Sequence, residues 1–332
     1  MSTIETEPLI EVRAVVKRFA LPHGLLDRLA GRPKRAVQAL NGPSFTVERG
    51  ETLGIVGESG SGKSTLARCI VGLNEIEGGE IRYAGSNVAS LRGAKRRGFN
   101  RRVQMIFQDP YGSLNPRMTV RQMLTEALSV HRMCPKAEIP VRIAELLNLV
   151  RLPSDAAEKR PHAFSGGQRQ RIGIARALAV EPECLIADEL VSALDVSVQA
   201  QVVNLLLELQ QRLHLTVLFI AHDLRLVRHI SHRVAVMYLG RVVELGATEE
   251  IFGHPRHPYT QALLAAAPDI DPTARSEVPA VRGELPSPID PPSGCVFHPR
   301  CPQAMDRCRS EEPALVARHS ASLFACHLSA PG

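Results

Sequence analysis

Apolar runs and amphipathic stretches alternate along most of the chain, which is the pattern of an α/β protein. Mostly apolar or alternating runs predict strands at 10–18, 52–56, 103–107, 183–187 and 216–220. Amphipathic stretches predict helices at about 63–71, twice within 119–150, and at 167–180 and 196–213. The segment 20–36 is basic and interrupted by glycine and proline, which predicts an exposed loop. Because strands and helices alternate, we expect a parallel sheet flanked by helices.

The regular pattern ends near residue 267. Residues 268–332 contain 11 of the 24 prolines and four of the seven cysteines, without clear periodicity. We therefore predict a boundary between a domain at 1–267 and a loop-rich extension at 268–332. An extension of this size has little core of its own, so we expect another device to stabilise it.

The composition is that of a globular protein, with 44% hydrophobic and 22% charged residues in 332. These proportions exclude a disordered or collagen-like chain. No stretch approaches 18 uninterrupted apolar residues, and the first residues, MSTIETEPLI, lack the basic and apolar regions of a secretory signal. We therefore expect a cytosolic protein, in which cysteines are more often thiols or metal ligands than disulfides.

The formal net charge is only +6. The densest basic run, at 95–97 and 101–102, could contact RNA or phospholipid, but a solvated loop is the simpler interpretation. With no Trp, four Tyr and nine Phe, the chain has little aromatic surface on which bases could stack. The composition therefore does not support binding to nucleic acid.

A phosphate-binding loop lies between the predicted strand 52–56 and the helix that follows it. Its sequence, GESGSGKS at 57–64, matches the pattern G-x-x-x-x-G-K-[ST]. Glycines allow backbone amides to surround phosphate oxygens, and the helix N-terminus favours an anion. In this pattern Lys63 contacts the β- and γ-phosphates and the Ser64 hydroxyl binds Mg²⁺. The predicted phosphate-binding residues are Gly57, Glu58, Ser59, Gly60, Ser61, Gly62, Lys63, Ser64 and Thr65.

Two acidic residues follow the predicted strand 183–187. In a phosphate-loop protein an aspartate at this point holds Mg²⁺, and Asp188 has that position. Glu189, one residue further on, is placed to polarise the attacking water. Two acids facing solvent would be the simpler interpretation of the pair alone, but the phosphate loop upstream favours the catalytic one.

Three further motifs, and a glutamine between the phosphate loop and the acidic pair, follow a recognisable order along the chain. Their residues are Gln108, Ser165, Gly166, Gly167, Gln168, Ser192, Ala193, Leu194, Asp195 and His222. With them the chain resembles, over essentially its whole length, the ATP-binding subunit of an ABC transporter. The resemblance implies an α/β P-loop ATPase fold with a RecA-like parallel sheet, an antiparallel β subdomain and a helical subdomain at about 109–165.

The resemblance also implies a role for each motif. Gln108 would join Ser64 and Asp188 at Mg²⁺, and Glu189, His222 and Gln108 would be catalytic. The segment 165–168 matches the family signature and 192–195 its D-loop. In the family that the chain resembles, two subunits pair head to tail, so the resemblance implies that the signature covers the ATP of a second subunit. This agrees with the difficulty of folding the phosphate loop and the signature of one chain onto the same ATP. ATP would hold this head-to-tail dimer together and hydrolysis would release it.

Two positions fit the family less closely. Phe19 is the best candidate for an aromatic side chain stacked on adenine, although it could equally belong to the core. Leu190 follows Glu189 where the family usually has proline, which removes a fixed φ beside the predicted catalytic base. We expect the ATPase activity to survive this difference.

Three longer segments indicate which transporters are most similar. The sequences VQMIFQDPYGSLNPRM, DVSVQAQVVNLLLEL and HPYTQALL resemble ATPases of dipeptide and oligopeptide importers, a group that also includes nickel and glutathione importers. The stretch 111–117 and Val191 are closer to the second of the two ATPases that each such importer carries. The resemblance implies a heterodimer with another ATPase, two membrane permeases and an extracytoplasmic binding protein, at the cytoplasmic face of the membrane.

The extension carries four cysteines, Cys295, Cys301, Cys308 and Cys326, spaced C-x5-C-x6-C-x17-C. They could be free thiols, a Zn²⁺ site or the ligands of a [4Fe–4S] cluster. Resemblance to peptide-importer ATPases, carried by Gly294-Cys295 and Arg300-Cys301-Pro302, favours the iron–sulfur cluster, with a structural role and, as the alternative, a redox role. The other three cysteines are expected to be ordinary thiols, with Cys184 buried in a strand.

Two other functions fit the sequence less well than peptide import. A soluble ABC protein acting on ribosomes or DNA usually has two cassettes or a coiled-coil insertion, and this chain has one cassette without such an insertion. A partner that binds ATP without hydrolysis would not need Glu189 and His222. An ATPase that powers a peptide importer is therefore the main hypothesis, with a nickel, glutathione or oligosaccharide importer as the alternative.

Overall fold

The fold was analysed in a computed structural model that describes residues 7–23, 34–266, 283–317 and 322–328. The predicted boundary at 267 lies outside the described residues, as does most of the predicted loop 20–36. The strands are β1 Ile10–Ala20, β2 Ala36–Asn41, β3 Phe45–Val47, β4 Thr52–Val56, β5 Gly78–Tyr83, β6 Ser86–Asn87, β7 Val103–Ile106, β8 Cys184–Asp188, β9 Thr216–Ile220, β10 Arg233–Tyr238, β11 Arg241–Ala247, β12 Val316–Ala317 and β13 Leu323–Phe324.

Helices connect most of these strands. They are α1 Lys63–Ile70, α2 Gly93–Arg102, α3 Pro110–Ser113, α4 Val120–Val130, α5 Ile139–Leu149, α6 Gly166–Leu178, α7 Val196–Leu213, α8 Leu224–Ile230, α9 Thr248–Gly253, α10 Pro258–Ala265 and α11 Arg307–Ser310. Short 3₁₀ turns occur at Val88–Ser90, Lys136–Glu138, Ser154–Glu158, Pro161–Ala163 and His298–Arg300. The predicted helix positions are confirmed, including the two helices within 119–150.

The chain divides into two compact units. The first unit contains residues 1–9, 47–52 and 83–221. Its strands β7, β8 and β9 are parallel, with Val103 opposite Cys184 and Cys184 opposite Thr216. All five residues of β8 and of β9 are buried, which explains why these strands read as unbroken apolar runs. Burial raises the pKa of the Cys184 thiol to about 12, so it is the buried strand thiol that the sequence predicts.

The second unit contains residues 10–46, 53–82 and 222–332. In one of its sheets β4 runs parallel to β10, and β10, β11, β13 and β12 follow in antiparallel order. In the other, β1 pairs with β2 in antiparallel fashion, with an irregular register between Lys17 and Arg18. Parallel and antiparallel strands therefore both occur, as the predicted fold requires. No helix in the described part of the chain is long and apolar enough to cross a membrane.

A buried histidine caps helix α10 in the second unit. His257 is the N-cap residue, and its Nδ1 accepts a hydrogen bond from the Tyr259 amide at 3.0 Å. The nearby buried carboxylate of Glu244 accepts the amides of Arg256 and His257 at 2.7 and 3.0 Å. Because His257 is 1% exposed, burial lowers its pKa from 6.5 to about 4. The ring is therefore neutral in the folded protein at neutral pH.

This histidine makes stability depend on pH in a defined direction. Because the pKa of His257 is lower in the folded protein than in the unfolded chain, the unfolded chain binds the extra proton. The contribution of His257 to the free energy of unfolding is therefore fully present above pH 6.5 and is lost as the pH falls towards 4. The loss amounts to about 1.4 kcal/mol per pH unit in that window. We expect urea unfolding to show that wild type loses this stability relative to His257→Asn, which keeps a capping oxygen but does not titrate. Parallel pH curves for the two proteins would contradict the assignment.

Candidate functional site

The predicted phosphate loop connects β4 to α1 in the second unit, and its shape requires glycine at two positions. Gly57 has φ +148°, and a Cβ there would lie 2.2 Å from the Met237 carbonyl oxygen. Gly62 has φ +104°, and a Cβ there would lie 2.4 Å from the Ala39 carbonyl oxygen. Any other residue would collide with backbone at both places. The loop is therefore shaped by close approach of main chain, which suits a site built from backbone amides.

Lys63 is held against this loop. Its ammonium donates to the carbonyl oxygens of Gly57 and Glu58 at 2.7 and 2.9 Å and lies 3.4 Å from Ser61 Oγ. Lys63 is the first residue of α1, and Gly62 is its N-cap. First-turn amides of a helix have no partner within the helix, so they are suited to bind anions. The arrangement places one positive charge and a helix N-terminus at the same loop.

Contacts that the motif did not predict support the loop from other parts of the second unit. The Gly240 amide donates to the Ser61 carbonyl at 2.8 Å. The Glu58 amide donates to the Tyr259 hydroxyl at 2.9 Å, and the Glu58 carboxylate pairs with Arg300. Tyr259 and Arg300 belong to segments quoted above only for their family resemblance. Neither residue matches a nucleotide-binding pattern by itself.

In the first unit, the structure brings Gln108 and Glu189 together. The Gln108 amide Nε2 donates to Glu189 Oε2 at 2.5 Å. Glu189 has φ +47°, its amide donates to the Ile220 carbonyl at 2.9 Å, and its carbonyl accepts the Ser192 hydroxyl at 3.1 Å. A non-glycine residue in this left-handed region is uncommon and is kept there by its surroundings. Its carboxylate is thereby fixed immediately after the buried Asp188 at the end of β8.

The segment 165–168 begins helix α6. Ser165 is the N-cap: its hydroxyl accepts the Gln168 amide, and the Gln168 side chain accepts the Ser165 amide at 3.0 Å. A Cβ on Gly166 would lie 2.8 Å from Leu194, and one on Gly167 would lie 2.3 Å from Val198. The two glycines therefore let the start of α6 approach 192–195 and helix α7 closely.

The segment 192–195 leads into helix α7. Asp195 is the N-cap of α7 and accepts the Val198 amide at 3.0 Å, and this bond is the largest cause of its lowered pKa. The Gln199 side chain donates to the Leu194 carbonyl at 2.9 Å. The segment is thus a helix-capping turn packed beside the start of α6.

The other predicted site residues are divided between the two units. Gln108 and Asp188 lie in the first unit, and Ser64 and His222 lie in the second. His222 is exposed and precedes Asp223, the N-cap of α8. Phe19 is 40% exposed near the end of β1, with the Lys17 ammonium 5.1 Å from its ring centre. The alternative that Phe19 belongs to the core is therefore wrong.

The four cysteines of the extension lie in the second unit. The Cys295 amide donates to the Cys308 carbonyl at 2.8 Å, and both residues are buried, as is Cys326. Burial, followed by the charges that the other three thiols would carry, raises the pKa of Cys295 to about 11. Burial also raises the pKa of Cys301, and the charges that Cys326 and Cys308 would carry raise it further.

These thiols are not arranged around a single point. Among the residues that the structure describes, no group of three or more His, Cys, Asp or Glu side chains is placed to hold a metal ion. The predicted metal site, whether zinc or iron–sulfur, is therefore not supported as a preformed ligand set.

Two known families match the chain. The family described as ABC transporter matches residues 40–192, which include the phosphate loop, Gln108, Glu189 and the start of α6. The family described as oligopeptide/dipeptide transporter, C-terminal region, matches residues 243–308. The second match includes helix α10 and three of the four cysteines of the extension.

Curated relatives match over nearly the full length. The chain is 50% identical over 98% of its length, and 91% of the relative's, to the protein named "probable peptide ABC transporter ATP-binding protein y4tS" of Sinorhizobium fredii. It is 48% identical, over 99% of both chains, to the oligopeptide transport ATP-binding protein AppF of Bacillus subtilis.

Solved structures of similar fold are ATP-binding cassettes. The cassette MJ0796, in a dimeric structure described as post-hydrolysis and bound to ADP and Pi, is 26% identical with a TM-score of 0.62, covering 72% of this chain and 98% of that one. CbiO1 from Clostridium perfringens, described as part of an ABC transporter complex, is 27% identical with a TM-score of 0.63, covering 75% and 92%. The predicted α/β fold class is confirmed.

The side chain after Glu189 allows a direct test of the departure from the family pattern. Leu190 is 1% exposed, and its carbonyl accepts the Gln170 side chain at 2.6 Å. Leu190→Pro keeps that carbonyl but removes packed methyl groups. We therefore expect a lower melting temperature and a free energy of unfolding that is lower by about 1–3 kcal/mol. We expect kcat for ATP to change by less than about tenfold, measured on folded protein. A larger fall in kcat with stability unchanged would show that the residue at 190 sets the conformation of Glu189.

Proposed function

Because the chain belongs to the family of ABC transporter ATP-binding proteins, we propose that it is the subunit that hydrolyses ATP to power a peptide importer. The observation that carries this proposal is identity of about half over almost the full chain to proteins named for peptide transport. The match at 243–308 to the C-terminal region of oligopeptide and dipeptide transporters supports the same substrate class. Importers of nickel, glutathione or oligosaccharides are the alternative. The transported substrate is chosen by other subunits of such an importer.

The phosphate site is assigned to the loop of the second unit. Gly57 to Thr65 bind the phosphates of ATP through backbone amides, and Lys63 supplies the positive charge. Ser64, Gln108 and Asp188 would hold Mg²⁺, and their hydroxyl, amide and carboxylate oxygens suit this hard cation. When bound, the metal ion neutralises charge on the phosphates. Phe19, which is exposed and apolar, is assigned to stack on adenine.

Glu189 is proposed as the general base. Its backbone is fixed on both sides, and its carboxylate accepts the Gln108 amide, so the oxygen that takes a proton from water is held in one place. Gln108 thereby orients the base as well as contributing to the metal site. His222 is assigned to the γ-phosphate end of the nucleotide, where a hydrogen-bond donor stabilises developing charge.

The signature and the D-loop are assigned to a dimer interface. The start of α6 offers Ser165 and the amides of Gly166 and Gly167 at a helix N-terminus, which suits the ATP bound by a partner subunit. The MJ0796 cassette, a similar chain, is described as a dimer with ADP and Pi. We propose a head-to-tail heterodimer with a second, homologous ATPase, two permeases that meet the segment 109–165, and an extracytoplasmic binding protein. This assembly places the chain at the cytoplasmic face of the membrane.

We assign residues 1–267 to the nucleotide-binding domain and 268–332 to an extension that carries a [4Fe–4S] cluster. What supports the cluster is the set of four cysteines in a segment with little core, three of which fall in the match to the C-terminal region of oligopeptide and dipeptide transporters. Four thiolates are an adequate ligand set for a [4Fe–4S] cluster, and zinc is the alternative metal.

Removing the base should separate ATP binding from ATP hydrolysis. We expect Glu189→Gln to bind ATP, to lose at least about 100-fold in hydrolysis rate, and to accumulate an ATP-bound dimer with its partner ATPase. Cells that carry this variant should also lose uptake of a labelled tripeptide, because uptake depends on ATP hydrolysis. The control is Glu208→Gln, which changes an exposed carboxylate on α7 paired with Arg151.

Two results would overturn these assignments separately. Normal hydrolysis by Glu189→Gln would show that another group is the base. Loss of nickel uptake with tripeptide uptake unchanged would keep the ATPase assignment and replace the peptide substrate.

The cluster can be tested by isolating the full chain without oxygen. We expect about four iron atoms per chain and broad absorption near 400 nm, both lost in Cys295→Ser. Cys134→Ser, a half-buried thiol outside the extension, serves as the control. Protein that lacks both iron and the absorption band would contradict the cluster, and stoichiometric zinc would replace it with the alternative metal.

A further inference from the structure

The second residue of the phosphate loop is held by the far end of the chain. The Arg300 guanidinium pairs with the Glu58 carboxylate through two hydrogen bonds of 2.9 and 3.1 Å. The Glu58 amide donates to the hydroxyl of Tyr259 at 2.9 Å. Side chain and main chain of Glu58 are therefore both fixed by residues about 200 or more positions away in sequence.

This ion pair differs from the surface ion pairs of the protein. The side chain of Arg300 is 7% exposed and that of Glu58 is 27% exposed. A bidentate arginine–carboxylate pair is stronger than an ordinary hydrogen bond, and removing one partner of a mostly buried pair leaves an uncompensated charge. Exposed pairs such as Arg307–Glu311, at 61% and 55%, contribute far less. Loss of Arg300 should therefore mainly change the charge balance and the position of the Glu58 carboxylate.

Arg300 is itself fixed by aromatic rings. It lies in the 3₁₀ turn His298–Arg300, and its guanidinium is 3.3 Å from the Tyr238 hydroxyl. Phe297, the residue before this turn, packs against Tyr238 and Tyr259 with ring centres 5.3 and 5.4 Å apart. The same buried cluster therefore orients both groups that hold Glu58.

The position of Glu58 explains why this matters for nucleotide binding. Its carbonyl accepts the Lys63 ammonium at 2.9 Å, so it forms part of the loop that surrounds the phosphates. A carboxylate on that loop repels a triphosphate, and at separations of a few ångströms such repulsion changes affinity substantially. Pairing with Arg300 both neutralises the carboxylate and fixes where it lies.

We propose that Arg300 of the C-terminal extension is a positioning residue for ATP: it neutralises and orients Glu58 so that the phosphate loop can accept the nucleotide. The proposal rests on the assignment of the loop 57–65 to ATP. It gives the extension a role at the nucleotide site in addition to any role of its cysteines.

The test uses the full chain and measures binding of a fluorescent ATP analogue together with the KM and kcat of ATP hydrolysis. We expect Arg300→Met to weaken nucleotide binding and raise KM by about tenfold or more, with a smaller change in kcat. Arg300→Lys keeps the charge but not the two parallel hydrogen bonds, so its effect should be intermediate. Arg307→Met, which removes an exposed arginine from the same extension, should behave as wild type.

The double variant Glu58→Gln/Arg300→Met separates positioning from mere stability. If the unpaired carboxylate causes the loss, removing its charge as well should restore binding to within about threefold of wild type. If the double variant binds as weakly as Arg300→Met, or if Arg300→Met binds normally, the proposal is wrong. Thermal melting identifies poorly folded variants, and Arg300→Gln, which is also neutral, then carries the same comparison with Glu58→Gln/Arg300→Gln.

A further variant distinguishes this proposal from the assignment of the site. Lys63→Ala should abolish binding of the ATP analogue in every background. If Lys63→Ala binds ATP normally, the loop is not the nucleotide site, whatever the result for Arg300.

Discussion

Close packing of main chain against the phosphate loop is the constraint on which the rest of the site depends. The carbonyl of Met237 closes against Gly57 and that of Ala39 against Gly62, so neither glycine can be replaced without moving a strand. Parallel pairing of β4 with β10, with Val56 opposite Val236, sets the first of these approaches. Lys63 and the first turn of α1 then occupy a loop whose shape is already determined.

Local patterns predict the elements well, because each depends on residues close in sequence. Helix α7 and strand β9 have the bounds that the apolar pattern predicts, and Asp195 caps α7 with its own side chain. The left-handed backbone of Glu189 could not be predicted, because the Ile220 carbonyl and Ser192 keep it there. The ion pair between Glu58 and Arg300 could not be predicted from the sequence either, because 242 positions separate the two residues. The described residues do not support a preformed metal site at the four cysteines, because their spacing does not specify how an irregular segment folds.

The described part of the extension is ordered without a core of its own. Its described residues contribute single large side chains to the second unit: Phe297 packs among Tyr238 and Tyr259, and Phe324 is 2% exposed. Each buried aromatic ring stabilises the segment by roughly 1.5–3 kcal/mol, which offsets the ordering of a few residues on either side. The extension is therefore held at separate points.

One of these points lies at the border of a sheet. Leu323 and Phe324 of β13 pair with β11, and the two-residue β12 follows as the outermost strand. Without β13, the seven-residue β11 would present unpaired amides and carbonyls to other molecules, which is a known route to aggregation. A very short outermost strand offers little surface for such pairing. The pairing of β13 with β11 thus covers an edge along which other molecules could otherwise add a strand.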